Sequence, residues 1–420
     1  MALLGHTQVK ATSLIQIADL FGAYGVSFLV VFVGACVARS LPQRGRQWSI
    51  WPLATAVGVV ACVFAYGRAQ MAVRNTGADV TRLKVALIQG TEDTILDSDV
   101  EAAQQRASET FNQYWRLTLD VCARHDDIDL IVWPEGVFSG GVPQLVVKGR
   151  IFPPPGSGFD PRQFELNVDE GSRLFDQKTR AVASAFNRRR SEDALGNERT
   201  WLLAGCDAVE LSGDVQLTYN AALLIDPRGE VIGRYDKMHR VILGEYVPFG
   251  DYFPWVYDLV PIGRGLTPGM HPASFDVDGV NISPSICFED TVPHLIRRQV
   301  RGLAARGDRP DVLVNLTNDG WFWGSGILDL QLSCAVFRAI ELRRPLLVAA
   351  NTGLTASIDG NGTVRDTLPR RQEGAVVADV TIDRRTSFYE RWGDVFAGLC
   401  LLVCLALTIS GCGDRWRAAE

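Results

Sequence analysis

The sequence contains no C-x-x-C pair, no Cys/His cluster at zinc spacing, no long basic run, no internal repeat and no low-complexity tract. The nine cysteines follow no paired pattern. Cys36, Cys62, Cys400 and Cys404 lie inside apolar stretches, Cys412 lies at the edge of one, and Cys122, Cys206, Cys287 and Cys334 stand singly in the middle. Disulfide frameworks and metal centres need paired or clustered ligands, so neither a metal nor a cofactor is expected. The five histidines (His6, His125, His239, His271 and His294) are equally dispersed. A net charge of −6 without a basic patch argues against a nucleic-acid partner. Charged residues at 21 % and hydrophobic residues at 47 % exclude a disordered chain.

What is present begins with three uncharged apolar runs: Leu20–Ala38, Trp48–Gly67 and Val395–Gly413. Each is long enough, as a helix, to cross a hydrocarbon core of roughly 30 Å. A buried core helix or a signal peptide is the plainer alternative. A signal peptide, however, has a shorter apolar run and is not soon followed by a second one. The expected division is a membrane region over residues 1–75 with two transmembrane helices, a soluble middle domain over 80–390 and a C-terminal transmembrane helix over 394–413. The short first loop carries Arg39, Arg44 and Arg46, which places it on the cytoplasmic side and the middle domain on the other. Arg68, Arg74, Arg82 and Lys84 after the second run pull against that orientation.

Between the runs, short Val/Ile/Leu segments recur at Leu83–Gln89, Asp129–Trp133, Trp201–Cys206, Ala221–Ile225, Ile282–Phe288, Asp311–Leu316 and Leu346–Ala350. Helical patterns occupy Asp99–Arg124, Gly171–Arg190, Val292–Arg306 and Leu328–Arg343. Apolar strands mixed with such helices predict a layered α/β domain whose sheets are covered by helices. Pro227-Arg228-Gly229 and Asn361-Gly362 read as turns between neighbouring strands. Phe138–Glu170, rich in Gly and Pro, reads as a long irregular segment: a lid, a substrate arm or an idle surface insertion.

Three strand ends carry chemistry. Glu135 closes the run Ile131-Val132-Trp133-Pro134, Lys237 follows Gly233-Arg234-Tyr235-Asp236, and Cys287 closes Ser283-Pro284-Ser285-Ile286. Singly, each has an ordinary explanation: a capping glutamate, a solvated lysine, an inert core thiol. Together they supply a base, a cation and a nucleophile. A thiol of pKa about 8.5 needs a base or a neighbouring positive charge to react at neutral pH. A carboxylate can take its proton, and an ammonium can stabilise the resulting oxyanion.

The wider text around these residues resembles the carbon–nitrogen hydrolase (nitrilase) superfamily, and within it the apolipoprotein N-acyltransferase family. The carriers are VWPEG around Glu135, YDKMHRVILGEYVPFG from Tyr235, SICFED around Cys287, NLTNDGWFWGS over Asn315–Ser325, and RAIELRRPLLVAANTGLTASIDGNG over Arg338–Gly362. Leu14–Val30 is similar to a membrane segment of the acyltransferase branch that soluble nitrilases lack. The resemblance implies a four-layer α-β-β-α sandwich flanked by transmembrane helices, with Glu135, Lys237 and Cys287 as a catalytic triad. It implies that Glu245 orients the lysine and that Glu289 and Trp321 meet substrate. It also implies a phospholipid acyl donor, an apolipoprotein acceptor and a multi-pass place in the cell inner membrane, with the catalytic domain on the non-cytoplasmic side.

Three departures qualify the likeness. Three apolar runs stand where the family has about eight, which reads as a shortened N-terminus or a misplaced start. The family's Val-Pro-Phe-Gly-Glu reads Val241-Ile242-Leu243-Gly244-Glu245, and its Trp-Gln-His reads as the stretch Leu328-Asp329-Leu330-Gln331. Two rivals share the same motifs: a membrane-bound amidase or nitrilase that passes the acyl group to water, and an inactive remnant that binds only lipid.

Overall fold

The computed structural model describes residues 3–42, 47–73, 82–93, 100–192, 200–250, 252–259 and 265–417. Arg44, Arg46, Arg74 and the expected boundary at 75–80 lie outside them.

A short helix α1 (Thr12–Ile15) precedes two long ones, α2 (Ala18–Ser40) and α3 (Trp51–Ala72). The middle of the chain then runs β1 (Arg82–Gln89), α4 (Val100–Arg124), β2 (Leu130–Trp133), β3 (Gln144–Ile151), α5 (Pro161–Glu192), β4 (Trp201–Gly213), β5 (Val215–Ile225) and β6 (Val231–Asp236). There follow β7 (Phe275–Val277), β8 (Val280–Ile286), α6 (Pro293–Ala304), β9 (Val312–Thr317), α7 (Ile327–Leu342), β10 (Leu346–Ala350), β11 (Thr355–Ile358), β12 (Val364–Leu368) and β13 (Gly374–Thr381). Helices α8 (Phe388–Trp392) and α9 (Val395–Arg417) complete the described chain.

The strands form two sheets, one ordered β13-β1-β2-β4-β5-β6 with β3 added against β4, the other ordered β12-β11-β10-β9-β8-β7. Alternation along each strand explains how the sheets stack. In β1, Leu83, Val85 and Leu87 join Val312, Val314 and Leu347 of the other sheet in one core, while Ala86 and Ile88 turn to the opposite face. That outer face packs on α4 and α5 through Tyr114, Leu117, Phe175 and Phe186. The outer face of the second sheet packs on α6 and α7 through Ile296, Val300, Phe337 and Ile340. The layers are therefore α-β-β-α, as expected.

Helix α2 lies on α7 rather than standing apart. It is broken at Gly22 (φ 65°, ψ −173°), where an added Cβ would sit 2.5 Å from the Tyr389 ring. The break frees backbone donors, and the Ala23 N–H finds the buried Glu341 carboxylate at 2.9 Å. Asp19 pairs with Arg343 in the same buried seam. Two described helices, Ala18–Ser40 and Trp51–Ala72, are long and apolar enough to cross a membrane, and α9 offers a shorter apolar stretch, Val395–Gly411. Exposed apolar side chains on α3 and α9, among them Val57, Phe64, Leu401 and Leu407, are of the kind lipid tails cover.

One expectation fails. Phe138–Glu170 is not a long irregular lid. Gln144–Ile151 pairs parallel to β4 at Gln144↔Ala208 through Ile151↔Gly213, and α5 begins at Pro161, ten residues before the predicted helix. The Gly and Pro residues mark the joints: Gly140 and Gly141 have positive φ before β3, and Pro161 occupies the first turn of α5, where its missing N–H costs nothing.

Candidate active site

Glu135 is placed by the end of β2. Pro134 has no N–H to continue the ladder, and Gly136 turns the chain with φ 73°. On the neighbouring strand, a Cβ on Gly205 would meet the Glu135 Cα at 2.5 Å, so glycine lets β4 run against the Glu135 backbone. Lys237 follows β6, with its N–H on the Asn220 carbonyl (2.8 Å) and its own carbonyl accepting from Gly269 (2.8 Å). Cys287 opens the 3-10 turn Cys287–Thr291 at the end of β8 with φ 52°, a conformation few non-glycine residues adopt. Its carbonyl accepts from Asn315 Nδ2 at 3.1 Å.

These ends converge. Lys237 Nζ donates to Glu245 Oε1 at 2.6 Å and to Glu135 Oε1 at 3.1 Å, with only 2 % of the lysine side chain exposed. Glu135 is held further by Asn220 Nδ2 (2.6 Å) and by the Asn318 N–H (2.9 Å). Glu245 accepts the Val241 N–H at 2.8 Å on its other oxygen. Burial opposes the charge on Lys237, but Glu135, Cys287 and Glu245 outweigh it and hold the ammonium protonated above its ordinary range. Burial pushes the Cys287 thiol well above its ordinary range, Glu135 adds to the shift and Lys237 opposes it. The resting constellation is thus a neutral thiol in the field of a fixed cation and a carboxylate.

The other two expected site residues fall differently. Trp321 is half-exposed in the turn Asp319–Phe322, and Trp323 is 74 % exposed, so neither tryptophan is a core residue. Glu289, two residues after Cys287, is wholly buried. Its carboxylate accepts from Tyr235 Oη, the Met238 and His239 N–H groups and the Ile286 N–H. These bonds tie it to the loops that carry Lys237 and Cys287.

Sequence reasoning missed Asn220, which bridges Glu135 and Glu245, and Asn318, whose backbone orients Glu135. The signal for Asn220 was faint: it is the last polar residue before the apolar run Ala221–Ile225. Among the described residues, no group of three or more His, Cys, Asp or Glu is placed to hold a metal.

The carbon–nitrogen hydrolase family model matches residues 84–389, the span that holds both sheets and the Glu–Lys–Cys convergence. Fold and match define the class: this is a carbon–nitrogen hydrolase domain. A second model, for the apolipoprotein N-acyltransferase N-terminal domain, matches residues 2–36. An apolipoprotein N-acyltransferase of Rhodopirellula baltica is 33 % identical over 100 % of this chain and 73 % of its own length. One from Geobacter metallireducens is 34 % identical over 95 % and 67 %. A solved carbon–nitrogen hydrolase from Helicobacter pylori shares 15 % identity over 75 % of this chain and 94 % of its own, with a TM-score of 0.44. The chain belongs to the apolipoprotein N-acyltransferase family.

Proposed function

We propose that this protein moves a fatty acyl chain from a membrane phospholipid to the N-terminal amine of a diacylglyceryl-cysteine lipoprotein, through a thioester on Cys287. The observation that carries the reading is the Lys237 ammonium clamped between Glu135 and Glu245 beside a positive-φ cysteine at a strand end. Glu135 takes the thiol proton as the sulfur attacks the ester carbonyl. Lys237, with nearby backbone N–H groups, stabilises the oxyanion, and Glu135 returns the proton to the departing lysophospholipid alkoxide. In the second half, Glu135 deprotonates the incoming amine as it attacks the thioester carbonyl, the carbon–sulfur bond breaks, and Glu135 passes the proton to the departing sulfur. Donor and acceptor are both lipids, and the apolar α2 and α3 would hold the catalytic domain at the surface where they lie. Half-exposed Trp321 would contact an acyl chain.

Mixed with phospholipid, the protein is expected to gain one fatty-acyl mass increment that hydroxylamine removes, and Cys287→Ala is expected to gain none. A lipopeptide with a free diacylglyceryl-cysteine amine should then speed single-turnover decay of the adduct and yield the N-acylated product. Equal decay with and without the lipopeptide, with free fatty acid as the only product, would make the protein a hydrolase.

The catalytic domain is proposed to lie on the non-cytoplasmic side of a bacterial inner membrane, from the arginines of the first loop. A reporter active only in the cytoplasm, fused after residue 75, should be silent. Strong activity there would reverse the orientation.

A further inference from the structure

Strand β5 runs past one of its neighbours. It pairs with β4 along its whole length, Val215–Ile225, but with β6 only from Ala221 onward. Backbone groups in an antiparallel pair point alternately toward the partner strand and away from it. The Asn220 carbonyl points away from β4 and accepts the Lys237 N–H at 2.8 Å. The Thr218 carbonyl does the same, accepting the Thr267 N–H at 2.7 Å. The β4–β5 register continues without a break, so Gln216 turns its own N–H and C=O the same way. Among the described residues nothing bonds to them. This free edge lines a cleft of about 790 Å³, together with Pro154 and Pro155 from the joint between β3 and α5 and with the segment Gly265–Pro268. The cleft is polar: Asp214, Thr218 and Arg240 also line it. Arg240 is held by Nη1 on the Leu266 carbonyl at 2.7 Å and lies over the Tyr246 ring at 4.4 Å. The cleft also adjoins the catalytic residues. Leu266 donates its N–H to the Glu245 carbonyl at 2.8 Å, and Asn220, which donates to Glu135 Oε1 at 2.6 Å, is four residues along β5 from Gln216.

An acyl chain has nothing to offer an unpaired backbone in a polar cleft, whereas an extended peptide can add to a sheet edge. The acceptor carries a polypeptide on the same cysteine whose amine is acylated. With that amine at Glu135, its chain leaves the site from N to C, while β5 runs toward the site, so the two strands are antiparallel. Four residues of strand span about 13 Å, the reach from Glu135's partner Asn220 out to Gln216. We propose that the edge of β5 at Gln216 is a subsite for the polypeptide of the acceptor, which joins the sheet as a short antiparallel strand by exchanging hydrogen bonds with the Gln216 N–H and C=O. Pairing through the backbone makes the subsite tolerant of side chains, which suits acceptors that share only their lipidated cysteine. The subsite rests on the lipoprotein reading above.

The probe is a synthetic diacylglyceryl-cysteinyl hexapeptide with a C-terminal fluorophore. Its binding to the full-length protein is read by anisotropy in detergent, with no phospholipid donor present. Gln216→Pro removes an N–H that faces away from β4, so the ladder to β4 stays whole. It is expected to weaken binding of the hexapeptide about five- to tenfold, the worth of one hydrogen bond. Diacylglyceryl-cysteine amide, which has no peptide tail, is expected to compete within about twofold of its strength on the parent protein. Gln216→Ala, which keeps the backbone, is expected to bind both as the parent does. If the proline variant does not fold, hexapeptides N-methylated at each tail amide in turn are tested on the parent, and one position is expected to lose binding by the same factor. A proline variant that binds the hexapeptide as the parent does overturns the proposal. So does a methylation series with no sensitive position. A parent dimer that Gln216→Pro turns into a monomer would give the edge to a second copy and overturn it too. Tail binding that depends on Gln216, with no N-acylated product once phospholipid is added, refutes the acyl-transfer reading and leaves the peptide subsite standing.

Discussion

Lys237→Met will slow acylation of Cys287 in single-turnover assays by about two to three orders of magnitude, the usual effect of losing one charge-stabilising donor at an oxyanion. The same change will destabilise the folded protein, for a separate reason. Glu135 Oε1 and Glu245 Oε1 both bond to one Nζ, at 3.1 and 2.6 Å, and their side chains are only 12 % and 13 % exposed. Without the ammonium two carboxylates face each other in a partly closed site. Removing one partner of a buried ion pair costs about 3–5 kcal/mol. The sign of the pH dependence follows. In the variant the facing carboxylates hold a proton more tightly than in the unfolded chain, so stability falls as pH rises and recovers on acidification. Thermal unfolding of parent and variant between pH 5 and 8 reads this directly. A variant that acylates at the parent rate, or whose stability gap does not widen with pH, would show that the lysine is not the electrostatic centre of the site.

Glu135 and Cys287 each end an apolar run, whereas Lys237 follows Gly233-Arg234-Tyr235-Asp236, and it was the resemblance of the surrounding text that singled the three out. The two-sheet core was legible because β1, β9 and β10 are short, largely apolar runs of the kind a strand buried on both faces requires. What stayed hidden is made across the chain. Asn220 reaches Glu135 over a separation of 85 residues, and Asn318 does so over 183 through a backbone N–H that carries no side-chain signal at all. β3 was hidden differently. The seven positions before Ile151 are all exposed or half-exposed, their apolar stretch Leu145-Val146-Val147 is cut short by Lys148-Gly149-Arg150, and its flanking glycines and prolines read as loop, although they mark only its joints. The break in α2 was likewise invisible, since Gly22 inside an apolar helix looks ordinary until Tyr389 and Glu341, both far later in the chain, close on it.

Glu289→Gln should be nearly as damaging as a change to the triad itself, although the side chain is too deeply buried to meet substrate. One carboxylate oxygen accepts the Met238 N–H at 2.7 Å and the His239 N–H at 2.9 Å; the other accepts Tyr235 Oη at 2.7 Å and the Ile286 N–H at 2.8 Å. All four partners are donors in this arrangement. Glutamine keeps the shape but turns one oxygen into an amide nitrogen, and whichever way the amide is flipped that nitrogen faces two donors. Leaving buried donors unmade costs about 1–3 kcal/mol each, so a loss of about 2–6 kcal/mol in stability is expected for the two. Activity should fall further than stability explains. Met238 follows Lys237 and Ile286 precedes Cys287, so this single carboxylate sets the distance between cation and nucleophile. A displacement of about 1 Å between reacting groups can cost a factor of about 10². The measurement that separates bracing from substrate contact is the split between kcat and KM for lipopeptide acylation, with Trp321→Ala beside it. Bracing predicts that Glu289→Gln lowers kcat about 100-fold with KM within about threefold, whereas Trp321→Ala raises KM and spares kcat. A glutamine variant with parental kcat and a raised KM would return Glu289 to the substrate side of the site.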